Sequence, residues 1–240
     1  MNAFSTIVDL IIPRLCHVCG CRLVADEEFI CRPCVRKLPL TGYEKYWINP
    51  RSAPLNSDLN PMEKRFAGQL PLGHACAPFF YSRDSTLASL VHDFKYRGFS
   101  RLATVLGSLG AGELKESGLF DGVDILLPVP LHWYKRWKRG YNQTEAIADG
   151  ISKVTGIPVG RSLKAVRHHR TQTSLSHEQR IANTKDIFRV SPADSLCGKH
   201  VMIVDDICTT GATLLSAGEA VAASAGHNVR ISIFTLGVVS

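Results

Sequence analysis

In this 240-residue chain, the run Val201-Met202-Ile203-Val204 is followed by Asp205-Asp206-Ile207-Cys208-Thr209-Thr210-Gly211-Ala212-Thr213. Four apolar residues suit a buried strand. The two carboxylates then stand at its C-terminal end, where open α/β sheets place their ligands. The small-residue turn that follows opens a helix. Gly211 lets the backbone approach a ligand closely and can take positive φ. Successive N–H groups at a helix start point outward, and the macrodipole there favours an anion. Thr209, Thr210 and Thr213 add hydroxyl donors, so the turn reads as a phosphate cradle. Asp205 and Asp206 are poor neighbours for phosphate but good acceptors for vicinal sugar hydroxyls. A carboxylate pair beside such a cradle points to a ribose 5-phosphate. A P-loop would need Gly-Lys-Ser/Thr, which is absent. A dinucleotide fingerprint needs G-x-G-x-x-G after a strand, whereas Gly107 to Gly112 has the wrong order and lies in a helical pattern. The remaining competitor is a plain strand–turn–helix with capping threonines and solvated aspartates. The apolar strand, paired acids and Thr-Thr-Gly-x-Thr together favour the ligand reading.

A second chemistry lies near the start. Of eight cysteines, Cys16, Cys19, Cys21, Cys31 and Cys34 crowd together, while Cys76, Cys197 and Cys208 are isolated. Cys16-x-x-Cys19 and Cys31-x-x-Cys34 are eleven residues apart. Two such pairs present four thiolates toward one point, the donor set of a structural Zn²⁺ site. Gly20 suits the tight turn of a zinc knuckle. Disulfides and an iron–sulfur cluster are the alternatives. Cys21 is read as a spare thiol and His17 as a weaker ligand candidate.

A third group is basic. After Leu127-Pro128-Val129-Pro130-Leu131 come His132, Lys135, Arg136, Lys138 and Arg139, then Gly140-Tyr141-Asn142-Gln143. Leu131, His132, Arg136 and Arg139, just past a strand end, are candidates to clamp pyrophosphate, since Arg matches phosphate oxygens bidentately. Trp133 and Trp137 interleave with the cations, a pattern also found on single-stranded nucleic-acid stacking surfaces. A solvated basic helix start is the plainer alternative. The polar stretch from Arg167 through Arg170, Thr171 and Gln172 to Asn183 reads as a long excursion, and such loops are often lids.

Strand–helix alternation must position these groups. Leu87, Leu90, Val91 and Phe94 have helical spacing that Gly98 stops, and Leu102, Val105, Leu106 and Leu109 repeat it. Val123 to Val129 suits a buried parallel strand. Asn142 and Glu145 resemble a capping box for a helix carrying Ile147, Ile151 and Val154. Ala212 to Ala225 reads as the helix after the acids, and Val229 to Val239 as the last strand. This argues for an α/β domain with a mainly parallel sheet flanked by helices. The expected organisation is a cysteine module over 1–40, a connector over 41–84 with a helical turn near Met62 to Phe66, and the α/β domain over 85–240. The charge balance, 28 − 21 = +7, favours polyanionic ligands without choosing among them. Ile7 to Ile12 is apolar, but it lacks a basic start and a cleavage site, so no signal peptide is expected. No other apolar run approaches the ~20 residues of a membrane span. A cytoplasmic, thiol-reducing location is the expectation.

Taken together, Phe94-Lys95-Tyr96-Arg97-Gly98, Pro128-Val129-Pro130-Leu131, Arg139-Gly140-Tyr141-Asn142-Gln143, the Thr171 to Asn183 block and the Asp-Asp-x-x-Thr-Thr-Gly run occur in one order. That order is similar to the ComF/GntX family of competence-associated proteins. The segment around the acids resembles the 5-phosphoribosyl-1-pyrophosphate (PRPP) signature of type I phosphoribosyltransferases. The resemblance implies that fold, with an N-terminal zinc knuckle. It implies that Asp205 and Asp206 hold the ribose 2′ and 3′ hydroxyls and act as the catalytic pair. Ile207, Cys208, Thr209, Thr210, Gly211, Ala212 and Thr213 would complete the PRPP site, the turn from Thr209 holding the 5-phosphate. It further implies Mg²⁺ with PRPP, displacement of pyrophosphate from C1, and a link to DNA taken up in natural competence. The alternative is a non-catalytic sensor of PRPP or a nucleotide, or a protein that binds single-stranded DNA or competence proteins. No residue stands out as a general base for an acceptor.

Overall fold

The computed structural model describes residues 13–48, 59–131, 137, 139–166, 187–191 and 196–239. In chain order the elements are α1 (Arg32–Val35), α2 (Lys45–Ile48), β1 (Leu72–Cys76), β2 (Phe79–Phe80), α3 (Thr86–Tyr96) and α4 (Ser100–Leu114). There follow β3 (Ile125–Pro128), α5 (Gln143–Thr155), β4 (Leu163–Ala165), β5 (Phe188–Val190), β6 (His200–Cys208), α6 (Ala212–Ser224) and β7 (Arg230–Val238). The main sheet has the order β1-β7-β6-β3 with every pair parallel, and β2 extends it along the end of β7. β6 and β7 are its centre, buried nearly throughout, which is why both appear in the sequence as apolar runs.

Two differences from the sequence reading follow from pairing. β6 does not stop at Val204 but runs through both acids to Cys208, because β7 continues beside it, with Asp205 opposite Thr235 and Cys208 opposite Val238. The stretch read as a connector contributes β1 and β2. Leu72-Gly73-His74-Ala75-Cys76 is too short and mixed to show a period. Its glycine is required by crowding, since a Cβ at Gly73 would stand 2.8 Å from both Ser232 Oγ and Arg230 Nε. A helical turn, Glu63–Arg65, falls inside the expected span. Asn60 starts it, its side-chain oxygen accepting from the N–H groups of Met62 and Glu63 at 2.8 and 2.9 Å.

Crossover directions locate the crevice. The chain leaves β3 outward through α5 to Val159, which bridges Leu126 on the far side of β3, and leaves β6 inward through α6 to β7. Right-handed crossovers in opposite directions place α5 and α6 on opposite faces. The gap between the C-terminal ends of β3 and β6 is therefore a topological switch point, where open α/β sheets bind ligands. α4 shares the face of α5, and the two helices cross at Gly107 and Gly150 with backbone in contact.

The helix ends match their chemistry. Ser85 caps α3 by accepting from Ala88 N at 3.2 Å, and Gly98 follows its end at φ 78°. Asn142 caps α5 by accepting from Thr144 N at 3.3 Å, and its amide reaches Glu145 Oε1 at 3.3 Å in place of the reciprocal backbone bond of a full capping box. β4 and β5 form a separate antiparallel ribbon, Leu163 opposite Val190 and Ala165 opposite Phe188. The excursion carrying Arg170, Thr171 and Gln172 leaves from this ribbon and lies outside the described residues, as does the apolar stretch Ile7 to Ile12. Among the described residues no helix is long and apolar enough to cross a membrane.

Candidate functional site

The acid pair sits where β6 meets the switch point. Successive strand residues point to opposite faces, so Asp205 and Asp206 diverge. Asp206 is buried and has partners on the α5 face: Lys95 Nζ from the last turn of α3 at 2.5 Å, and Gln143 Nε2 from the first turn of α5 at 3.3 Å, both on Oδ2. Its Oδ1 accepts from Ile207 N at 2.6 Å. Asp205 Oδ1 accepts from Asp206 N at 2.8 Å. Burial, then the neighbouring Asp206 charge, pushes the Asp205 carboxyl up to about 7, while the hydrogen bond from Asp206 N and then the Lys95 charge offset part of that rise. The expected equivalence of the two acids therefore divides. Asp206 is paired inside the fold, and Asp205 is the half-buried carboxyl at the crevice floor. Gln143 Oε1 is buried and has no hydrogen-bond partner among the described residues.

The turn after β6 has the form of a cradle. Gly211 is the N-cap of α6 at φ 85° and offers no side-chain cap. Thr210 Oγ1 accepts from Ala212 N at 3.4 Å, and Thr209, Thr210, Ala212 and Thr213 are exposed. The reason for a glycine is fuller than ligand approach alone. A Cβ at Gly211 would stand 3.0 Å from the ring of Phe66, and the φ value disfavours any side chain. Phe66 and Arg65 form the floor beneath the turn. Arg65 donates to Thr209 O through Nη1 and to Val239 O at 2.7 Å through Nη2, so one guanidinium ties the cradle to the end of β7. The sequence reading assigned no role to Arg65, Phe66, Lys95 or Gln143. For Lys95 a signal existed, because it continues the Leu87, Val91 line at steps of four, which is the buried side of α3.

Of the pyrophosphate candidates, Leu131 is half-buried just beyond β3, and the Arg139 guanidinium lies 5.4 Å from the centre of the Tyr96 ring. His132 and Arg136 lie outside the described residues, together with Trp133, Lys135 and Lys138. Trp137 is 79% exposed.

The four paired cysteines come together as their spacing requires. The sulfurs of Cys16, Cys19, Cys31 and Cys34 all lie within 4.8 Å of one another, and Cys19 and Cys31 are 3.6 Å apart. A tetrahedral zinc with Zn–S near 2.3 Å needs sulfurs ~3.8 Å apart, so this donor set fits the ion. Cys19 is lowered to about 6, first by the Cys21 N–H directed at its sulfur and then by the Cys34 thiol. Cys31 N donates to Cys16 Sγ at 3.3 Å. Backbone N–H groups aimed at sulfur are what a knuckle supplies to a metal-bound thiolate. Cys21 is not one of the four. Cys31→Ser is expected to lower bound metal, measured by elemental analysis of purified protein, and to destabilise the module, because structural zinc contributes directly to folding. Full metal occupancy in a Cys16→Ser/Cys31→Ser double variant would exclude the four-thiolate site.

The phosphoribosyl transferase domain family matches residues 140–235, from the start of α5 through the acids and cradle into β7. Competence protein F of Haemophilus influenzae is 31% identical over 133 residues, 53% of this chain and 58% of that protein. DNA utilization protein YhgH of Salmonella typhi is 26% identical over 228 residues, 92% of this chain and 96% of that protein. Competence protein ComFC of Bacillus subtilis is 24% identical over 156 residues, 65% of this chain and 61% of that protein. The chain is similar to ComF-type competence proteins and carries a phosphoribosyl transferase domain. This chain has the type I phosphoribosyltransferase fold preceded by a four-cysteine module. Solved structures similar to it include the allosteric regulatory enzyme of purine biosynthesis, 20% identical with a TM-score of 0.39 over 59% of this chain and 29% of that one. Another is the glutamine PRPP amidotransferase of B. subtilis, 20% identical with a TM-score of 0.40 over 59% and 30% of the respective chains.

Proposed function

We propose that this protein acts as a ComF-type phosphoribosyltransferase, binding PRPP in the crevice between β3 and β6 and transferring its phosphoribosyl group to an acceptor. The observation that carries this reading is the half-buried Asp205 beside the Thr209 to Thr213 cradle at the switch point. In this reading the exposed N–H groups and hydroxyls of the cradle hold the 5-phosphate. Asp205 accepts from the ribose hydroxyls. The same Asp205 carboxylate, once ionised, supplies a negative field beside the ring, while Lys95 and Gln143 hold Asp206 inside the fold. That field favours the positive charge that develops at C1 as the bond to pyrophosphate breaks and the acceptor's bond forms. Arg139 and the basic residues before it receive the departing pyrophosphate. Mg²⁺ carried on PRPP would neutralise charge on the leaving group. The four thiolates of the module hold zinc in a structural role. Relatives named for competence and DNA utilization support placing this chemistry in the handling of DNA.

Titration with Mg²⁺ and PRPP, followed by a screen of candidate acceptors for pyrophosphate release, tests the reading. Saturable PRPP binding that Gly211→Val removes, together with its inorganic-phosphate binding, is expected. Lack of PRPP binding by the wild type would overturn it. PRPP binding without pyrophosphate release for any acceptor would favour a sensor. The exposed Trp137, beside the cation-rich stretch, favours single-stranded DNA as the second reading. In that case Arg139→Ala weakens DNA binding and flattens its salt dependence, leaving PRPP affinity unchanged.

A further inference from the structure

The last turn of α3 is gripped from two sides. Residues two apart on a helix project about 200° apart, so Asp93 and Lys95 point in nearly opposite directions. Lys95 reaches Asp206 in the ligand crevice. Asp93 faces the cysteine module, its Oδ2 2.9 Å from His17 Nδ1, and its Oδ1 pairs with Arg97 at 3.2 Å. Between them, the Phe94 carbonyl accepts from the Tyr141 hydroxyl. Carbonyls in a helix's last turn have no partners within the helix, so the position of this turn depends on such outside contacts.

The module end of the link is built with equal care. His17 lies between the paired ligands Cys16 and Cys19, so its place follows that of the knuckle. Its ring stands edge-on to Phe29 and Phe99, with centroids 5.4 and 4.6 Å away. Phe29 holds φ 63°, an unfavourable value for an aromatic residue that surrounding structure must enforce, and its carbonyl accepts from His17 N at 2.8 Å. A second anchor, Arg101 to Glu28 at 2.6 Å, joins the start of α4 to the same loop. Folding of the module alone would not require its histidine to be paired with an acid on α3.

We propose that the cysteine module is a positioning element for the ligand site: through His17 and Asp93 it sets the last turn of α3, and with it the Lys95 ammonium on Asp206. A lysine on a flexible four-carbon stem neutralises a buried carboxylate well only when its helix is held in place. Loss of the module's metal would then loosen the site without any change in the site's own residues. The ligand readout rests on the PRPP reading above; the mechanical coupling does not.

A double-mutant cycle tests this, combining His17→Phe, which keeps the aromatic packing, with Lys95→Met. Mg²⁺/PRPP titration, metal content and hydrogen exchange over 86–97 and 200–208 are measured on each full-length protein. Lys95→Met is expected to lower PRPP affinity roughly ten- to a hundredfold, the effect of losing a charged partner, and Lys95→Arg to recover much of it. His17→Phe lowers affinity severalfold at unchanged metal content, adds little to Lys95→Met, and speeds exchange at the end of α3 and around Asp206. His17→Asn, which keeps a donor where Nδ1 stands, restores both readouts. Asp93→Asn repeats the test from the far side of the link, without touching the metal-binding loop, should His17→Phe lose metal. Fully additive losses, or wild-type exchange around Asp206 in both His17→Phe and Asp93→Asn, overturn the proposal. If the wild type binds no PRPP, the functional reading fails, and the exchange measurements alone decide the coupling.

Discussion

Asp205→Asn should make the protein more stable at pH 8 while weakening its hold on PRPP. Burial and the Asp206 charge lift the Asp205 carboxyl to about 7, against ~3.9 for an unfolded aspartate. Between about pH 4 and 7 the folded chain therefore keeps a proton that the unfolded chain gives up, and stability falls as pH rises through that window. Above about pH 7 the whole penalty is present. Asn is nearly the same size and carries no charge, so the variant escapes it. Partial solvent access reduces the penalty, which leaves an expected gain of about 1–3 kcal/mol at pH 8 and little at pH 4. For a chain of this size that is a rise in Tm of roughly 2–10 °C. PRPP affinity should fall roughly ten- to a hundredfold, the consequence of replacing a charged acceptor. Calorimetric scans at pH 4, 6 and 8 on both proteins check the first effect, and titration checks the second. A stability difference that does not grow with pH would show that Asp205 ionises as it does in water. Gain of stability with loss of binding is what a site built from strained charge should display.

The parts of the fold that were legible are those in which burial alone decides the pattern. β6 and β7, covered on both faces, could only be apolar runs, and α3 shows its buried Leu87, Leu90, Val91 and Phe94 at helical spacing. Cys16, Cys19, Cys31 and Cys34 were readable because knuckle geometry is local. β1 was not, since Gly73 and His74 answer to Ser232, Arg230 and Glu63, all distant in sequence or outside any periodic pattern. The acids were legible as a pair, but their different surroundings were not. What separates Asp206 from Asp205 is Lys95 on α3 and Gln143 on α5, two contacts that tertiary structure alone creates. The positive φ of Gly211 was legible in the sequence, but the ring of Phe66, which also excludes a Cβ there, was not, because it lies in an irregular stretch with no pattern to announce it.

Two glycines that no motif contains should prove the most sensitive positions of the helical layer. A Cβ on Gly150 would stand 2.1 Å from Thr104 O and 2.8 Å from Ser108 N, and one on Gly107 would stand 2.3 Å from Ile147 O. All three obstacles are backbone atoms, which cannot rotate away as a side chain could. Ser108 Oγ adds a 3.0 Å bond to Gly150 O across the same crossing. Glycine in a helix ordinarily costs about 0.5–1 kcal/mol relative to alanine, so Gly→Ala is normally stabilising. Here α4 and α5 would have to move apart along their contact, and the loss should exceed that gain. Gly150→Ala is expected to destabilise by about 3 kcal/mol or more, at the upper end of overpacking effects. Gly112 provides the internal control: it is exposed on the same α4 with nothing within 4 Å of its missing Cβ. Gly112→Ala should therefore stabilise by about 0.5–1 kcal/mol. Denaturant unfolding of the two variants beside wild type decides the matter, and effects of the same sign would refute the close crossing. The consequence reaches the crevice, because the first turn of α5 carries Gln143 to within 3.3 Å of Asp206. Any Gly150→Ala protein that still folds, with α5 displaced, should lose PRPP affinity although no residue of the site has been changed.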